Sequence, residues 1–235
     1  MTTTLRPAGP ERRKADGGRT RDYTVCVNGR PVGSVRIGAA PDRGPGRIEA
    51  LAVDEQDRRR GRGTVAALAA EEVLRQWGCT SVLVSVPDEA EYALRMAAAL
   101  GYTETGRVLH KDLAPGAPLR ELPAGVVLRD LTEEEAGSGA PAPAGLALDQ
   151  GGTTVGRLWL HTAPGPGWVH AVEVPPAHRG RGYGRTLMLA AESACIAVGT
   201  TAVRLNLPPA NAEATRLCTT LGYRALHHDL TKPLA

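Results

Sequence analysis

The sequence predicts an α+β chain built as two tandem copies of one unit. Each copy is expected to be a mixed, mostly antiparallel twisted sheet flanked by helices. Three observations carry this expectation: the chain repeats itself, strands outnumber helices with hairpins ahead of each crossover, and a glycine-arginine turn recurs between a strand and a helix.

The repeat is read from one constant offset. Gly63 and Gly184 lie 121 positions apart. The same shift, without a gap, pairs Val53 with Val174, Glu71 with Glu192, Gly78 with Gly199 and Val82 with Val203. It continues through Pro87 and Pro208, Arg95 and Arg216, Leu100-Gly101-Tyr102 and Leu221-Gly222-Tyr223, and Lys111 and Lys232. Identities spread over strand, helix, strand, helix and final strand do not arise from composition bias. The chain is therefore divided into an N-terminal domain over 1–113, a linker over 114–120 and a C-terminal domain over 121–235.

In chain order, residues 2–6 read as a first strand and 10–21 as loop or disorder. Strands over 22–27 and 31–37 flank Asn28-Gly29, the favoured tight-hairpin pair. A Gly/Pro loop at 39–46 leads to a strand ending at Val53, and residues 64–77 read as a helix. A buried strand (81–86), a helix (90–100) and closing strand material (102–113) finish the copy. In the second copy, 126–130 is a strand and Thr132 begins a capped helix start running to Glu135. Residues 137–143 read as flexible. A hairpin over 145–149 and 153–160 turns across 150–152. Strand 168–174, helix 185–198, strand 201–207, helix 210–221 and closing strands follow.

Bulk properties narrow the class. The 235 residues carry no Phe and 3% aromatic content, so the core has to rest on Val, Leu and Ala. No apolar run is long enough to span a bilayer and residues 1–10 lack a signal-peptide core, which predicts a cytoplasmic protein. Cys26, Cys79, Cys195 and Cys218 have no CxxC spacing, so neither a metal site nor a disulfide framework is expected. The net charge is +3, but residues 1–63 hold 14 Lys/Arg against 8 Asp/Glu. A basic first half suits an anionic partner; a solvated arginine-rich surface explains it equally well.

The chemistry centres on the two turns. Arg179-Gly180-Arg181-Gly182-Tyr183-Gly184-Arg185 follows the strand carrying Val172 and Val174. Arg58-Arg59-Arg60-Gly61-Arg62-Gly63-Thr64 follows Leu51 and Val53. Glycines at a strand–helix junction let backbone approach a ligand closely, and free amides at a helix start favour an anion. Arginines add charge and forked donors suited to phosphate. Neither turn is a P-loop, because Gly-Lys-Ser/Thr is absent. Gly61, Gly63 and Ala66 fit a dinucleotide fingerprint, but Leu187 breaks it in the second copy and neither copy has the acidic residue about 20 positions on.

Both turns fit Arg/Gln-x-x-Gly-x-Gly/Ala, at Arg58, Gly61 and Gly63 and at Arg179, Gly182 and Gly184. With the flanking VEVPPAHRGRGYG and the terminal NAEATRLCTTLGY, the chain resembles the GCN5-related N-acetyltransferase (GNAT) superfamily, and two copies resemble its tandem members. That resemblance implies a cradle whose amides hold the pyrophosphate of acetyl-CoA or another acyl-CoA. It implies a preceding strand (Val172 and Val174; Leu51 and Val53) whose backbone holds the pantetheine, and an Asn at 211 that touches it. The first copy has Ala90 at the position of Asn211, so the C-terminal site reads as the more complete.

Acyl transfer to an amine needs a base, a polarised carbonyl and a proton for the departing thiolate. The family often places a Glu on the strand before the cradle, where this chain has Trp168 and Arg47. Two residues on stand His170 and Glu49, expected on the same strand face, with Glu173 on the opposite face as a further candidate base. The family's usual acid, a Tyr in the last helix, is absent; Cys218 follows Leu217 instead, and is either a donor or a small buried thiol. The leading expectation is an acyl-CoA-dependent N-acyltransferase acting on a primary amine of a small molecule, as a monomer or homodimer. The alternatives are a non-catalytic CoA-binding scaffold, and an aminoacyl transferase using aminoacyl-tRNA on the basic half, whose binding would fall with salt.

Overall fold

Asn28-Gly29 sets the register of the first hairpin. Both residues have positive φ, 50° and 84°, which matches the strand twist and closes the turn in two residues. Val27 then faces Arg30 across it, and Val25, Val32, Val35 and Ile37 enter the core. In the second copy Gly151 and Gly152 do the same, at φ 58° and 77°, with Gln150 opposite Thr153. The turn needs two residues there rather than the three read from the sequence.

The protein is described from a computed structural model over residues 3–41, 44–114, 122–132, 135, 144–162 and 165–234. Most of the expected linker, the segment at 137–143 and the tip of the 39–46 loop lie outside the described residues. The elements are β1 (Thr3–Pro7), β2 (Arg12–Arg13), β3 (Arg19–Val27), β4 (Arg30–Ala39), β5 (Gly46–Val53), α1 (Arg62–Gln76), β6 (Ser81–Pro87), α2 (Glu91–Ala99) and β7 (Thr103–Asp112). They continue as β8 (Val126–Asp130), β9 (Ala144–Gln150), β10 (Thr153–His161), β11 (Gly167–Glu173), α3 (Tyr183–Ala197), β12 (Ala202–Leu207), α4 (Ala212–Thr220) and β13 (Arg224–Pro233). The α+β expectation therefore holds in both copies. The loop expected over 10–21 is partly strand, because Arg12 pairs with Asp22 and Arg19 stacks over Trp77 at 4.4 Å. Those contacts carry the β3–β4 hairpin further out. Thr132 and Glu135 form the expected reciprocal cap, Glu135 N–H to Thr132 Oγ1 at 3.3 Å and Thr132 N–H to Glu135 Oε2 at 3.0 Å.

The compact units are Met1–Thr105 with His227–Ala235, and Gly106–Leu226. The first unit's sheet runs β1-β3-β4-β5-β6-β13, with β2 on β3; the second runs β7-β12-β11-β10-β9-β8. The last strand of each sequence copy thus lies in the sheet that contains the other copy's helices. The boundaries at 113 and 121 follow the duplicated sequence, whereas the compact units follow this exchange.

Each exchanged strand brings a lysine to a buried glutamate. Lys232 donates to Glu71 at 2.7 Å, and Tyr102 Oη donates to the same carboxylate at 2.9 Å. In the second unit Lys111 donates to both oxygens of Glu192 at 2.7 Å, and lies 5.5 Å from the Tyr223 ring. Glu71 and Glu192 are buried, so each carboxylate depends on its lysine for compensation. Burial, reinforced by the neighbouring carboxylate, pushes both tyrosine hydroxyls well above the usual phenol range.

The cores are small-residue cores, as composition demands: Val, Leu and Ala dominate both, with Ile37, Leu74, Leu158 and Leu187 fully enclosed. The first residue of β5 and of β11 is glycine because the crossover helix lies against it. A Cβ at Gly46 would meet Leu74 at 2.8 Å. At Gly167 it would collide with Cys195 Sγ.

Replacing Lys111 with Met should destabilise the second unit by ~3 kcal/mol, since it strands a buried carboxylate. Urea unfolding of the full chain measures it, and adding Glu192→Leu should recover most of the loss. A change below ~1 kcal/mol would show that Glu192 is compensated by other means.

Candidate active site

In each unit one parallel strand pair stops early. β11 pairs β12 only from Gly167↔Val203 to Val169↔Leu205, and β5 pairs β6 only from Gly46↔Val82 to Ile48↔Val84. Beyond those points the strands separate and leave backbone edges unpaired, which is rare for buried strands unless something else supplies the hydrogen bonds. In the second unit the separation opens a cleft of about 860 Å³. Its walls include Val172, Val174, Gly182, Gly184, Leu217 and Cys218, with His170, Glu173, Arg157 and Asn206 also on its surface.

Two of the three sequence-predicted bases, His170 and Glu49, sit at a bulge. Leu160 faces Val169 and Trp159 faces Ala171, so His170 is the extra residue. Ile37 faces Ile48 and Arg36 faces Ala50, so Glu49 is its counterpart. The alternation expected to put His170 on the face of Trp168 is therefore broken at His170 itself. His170 is exposed and lines the cleft. Glu49 is corrected: Lys14 Nζ binds it at 2.6 Å and Thr20 Oγ1 at 3.2 Å, so its carboxylate is held as half of an ion pair rather than left free for an amine.

The cradle follows. Gly180 and Gly182 have φ of 75° and 85°, and a Cβ on either would meet nothing within 4 Å. That conformation favours glycine, and the space around it is open. α3 starts without a side-chain cap; the first amide returning to the turn is that of Thr186, to Gly182 O at 3.0 Å. The amides before it have no helical acceptor, as at any helix start. Arg181 and Arg185 are exposed, while Arg179 Nε donates to Val174 O at 3.1 Å and fixes the turn to the strand end. Arg58 does likewise with Val53 O at 3.0 Å. Asn211 caps α4, accepting from Ala214 N–H at 3.1 Å, and lines the cleft. Ala90 begins α2 with no side-chain cap.

The two cradles differ in what lies beneath them. Arg62, expected to hold phosphate, is buried, and its guanidinium turns inward to Asp57. Asp57, itself buried, also takes both its oxygens to Arg30 at 2.7 and 2.9 Å. These hydrogen bonds hold the Asp57 carboxyl below its usual range. Arg62 is thus an internal counter-ion and not a ligand side chain. Residues 54–64 carry three acids against four arginines, with Arg59 rather than glycine at φ 57° and Arg60 exposed. At the matching positions 175–185 there is no acid. His178 replaces Asp57, and Tyr183 replaces Arg62. Tyr183 is buried too, its hydroxyl donating to Gln150 and its ring edge-on to His178 at 6.4 Å; of this residue only the backbone serves a cradle.

Cys218 is buried in the cleft wall, and burial raises its thiol to about 11, with the Glu192 charge adding to the shift. The thiol is therefore protonated at neutral pH. Sequence reasoning did not find Arg157 or His178; the repeat offset aligns them with Arg36 and Asp57 and gives no hint that they line a cleft. Among the described residues no cluster of three or more His, Cys, Asp or Glu could hold a metal, and no helix is long and apolar enough to cross a membrane.

Strand separation, glycine cradle and crossover helix recur in both units, and comparison identifies the family. The acetyltransferase (GNAT) family matches residues 4–102 and again 117–223. The chain belongs to the GNAT family, as a tandem member. Among solved structures it is similar to a tandem GNAT protein from the clavulanic acid biosynthesis pathway (TM-score 0.55, 19% identity, 94% of this chain and 85% of that one). It is similar also to a GCN5-related N-acetyltransferase from Sphaerobacter thermophilus (0.60, 20%, 90% and 80%) and to one from Kribbella flavida (0.56, 17%, 86% and 87%). No curated protein matches the chain.

Proposed function

We propose that the second unit transfers an acetyl or other acyl group from acyl-CoA to a primary amine of a small molecule, and that the first unit does not turn over. The observation that carries this reading is the contrast between the cradles: both are built on the same backbone plan, but only the second is free of acidic side chains. The amides of 180–185, with Arg181 and Arg185, would hold the pyrophosphate, and the unpaired edge after Val169 would hold the pantetheine through Val172 and Val174. These residues fit the group, since open space surrounds Gly180 and Gly182 and helix-start amides suit an anion.

Acyl-CoA supplies an activated acyl group as a thioester. His170 accepts the proton released when the amine nitrogen forms its bond to the acyl carbon, and it is exposed on the cleft surface. Cys218 Sγ, which burial keeps protonated, holds the proton that the departing thiolate needs. Glu173, exposed on the same cleft, attracts a cationic amine. The first unit acts in this reading as a scaffold, because the acids at 54, 55 and 57 and the inward turn of Arg62 lower the positive charge its cradle offers an anion.

Titration calorimetry with acetyl-CoA should find one site per chain. Gly182→Val should abolish it, because a β-branched residue does not tolerate that φ, while Gly61→Val should leave it intact. Two sites, or loss at Gly61 instead, would contradict the assignment. His170→Ala should lower turnover ~100-fold in a steady-state assay; full turnover by that variant would remove His170 as the base.

A further inference from the structure

We infer that the acceptor amine also carries a carboxylate, as an amino acid does, and that Arg157 on β10 is the residue that recognises it. This rests on the acyl-transfer reading of the same cleft and adds the class of acceptor to it.

Arg157 lines the cleft, and its Nε is shut off from solvent without an acceptor among the described residues. A buried guanidinium donor left unpaired is costly, and such donors mark places where an acceptor is to be supplied. The carboxylate it is paired with, that of Glu135, does not meet the need. Arg157 Nη2 stands 3.6 Å from Glu135 Oε1, beyond hydrogen-bond range. Glu135 is already bound by both Nη atoms of Arg129, at 2.8 and 3.0 Å, and by Thr132. Arg129 is in turn fixed by Asp149 at 2.8 Å, and Thr154 joins Arg129 to Asp149. This network leaves Glu135 satisfied elsewhere, so Arg157 has a carboxylate beside it but no hydrogen-bonded acceptor at Nε. A guanidinium takes a carboxylate side-on through Nε and one Nη, with two parallel hydrogen bonds.

The second half of the acceptor has a complement directly opposite. Glu173 is the antiparallel partner of Arg157, so the two side chains leave the same face of the sheet with Cβ atoms about 5 Å apart. They form no ion pair with each other, and both line the cleft. A ligand bearing ammonium and carboxylate satisfies both at once. A simple alkylamine satisfies Glu173 alone and leaves Arg157 unpaired. The repeat offers a contrast: Arg36, the counterpart of Arg157, is bound to Asp22, and Ala52 stands where Glu173 does. Only the second unit keeps this pair open.

The test uses the full-length protein and pairs common L-amino acids with their α-amides, which keep the amine and lose the carboxylate. Calorimetry without acyl-CoA should find at least one amino acid whose affinity exceeds its amide's by ~10- to 100-fold, and Arg157→Gln should erase that difference. Arg157→Lys should restore part of it. With acetyl-CoA present, Arg157→Gln should raise KM for that amino acid by a similar factor while acetyl-CoA affinity stays unchanged. Equal binding of acid and amide by the natural protein, or a difference that survives Arg157→Gln, would overturn the inference. Normal acetyl-CoA binding with amides preferred sinks the acceptor class alone. Failure of acetyl-CoA to bind sinks the transferase reading, and amino-acid binding then still decides the role of Arg157.

Discussion

The short parallel pair at the centre of each unit is the constraint on which the rest depends. Three residues of β11 are bonded to β12, and then the strands part. The cause lies partly at the start of the strand, where Gly167 lets α3 press against the backbone through Cys195, as Gly46 does for Leu74. A helix lodged that closely holds the strand starts together, while a bulge at His170 and at Glu49 turns the strand just past the last paired residue. Unpaired backbone on both sides of the gap and free amides at the helix start then face one space. The cleft is a consequence of strand geometry before any side chain is considered.

Duplication supplied that geometry twice, and side-chain divergence separated the two uses. Where the second unit has His178 and Tyr183, the first has Asp57 and Arg62, which bind each other and draw in Arg30. A buried ion pair of this kind locks conformation more than it adds stability. Its chemical effect is larger: the pair takes the Arg62 guanidinium out of the cradle and turns it inward. The exchanged terminal strands work in the opposite direction and bind the copies into one folding problem, because Lys111 and Lys232 each neutralise a glutamate encoded in the other copy's helix.

Much of this was legible in the sequence. The offset of 121 gave the duplication, Asn28-Gly29 gave a hairpin register, and the Arg-x-x-Gly-x-Gly runs gave the turns at the helix starts. Other features were hidden for definite physical reasons. Strand exchange leaves no trace in a repeat, since Lys111 and Lys232 align identically whichever sheet receives them. A bulge is one residue within an alternating run, so His170 and Trp168 looked like neighbours on one face. Arg62 looked like a phosphate ligand because its inward turn depends on Asp57 and Arg30, the second of them 32 positions away. Arg157 carried no motif at all; its meaning comes from Glu135, Arg129 and Asp149 having already satisfied one another.

The most direct measurement is backbone hydrogen exchange of the full chain with and without saturating acetyl-CoA. The account predicts slowed exchange at residues 172–174 and 180–186, with no change at 51–53 and 59–65. Equal slowing in both stretches would mean that the Asp57–Arg62 pair does not close the first cradle. Slowing confined to 51–53 and 59–65, or none in any of these segments, would contradict the cofactor role assigned to the second unit.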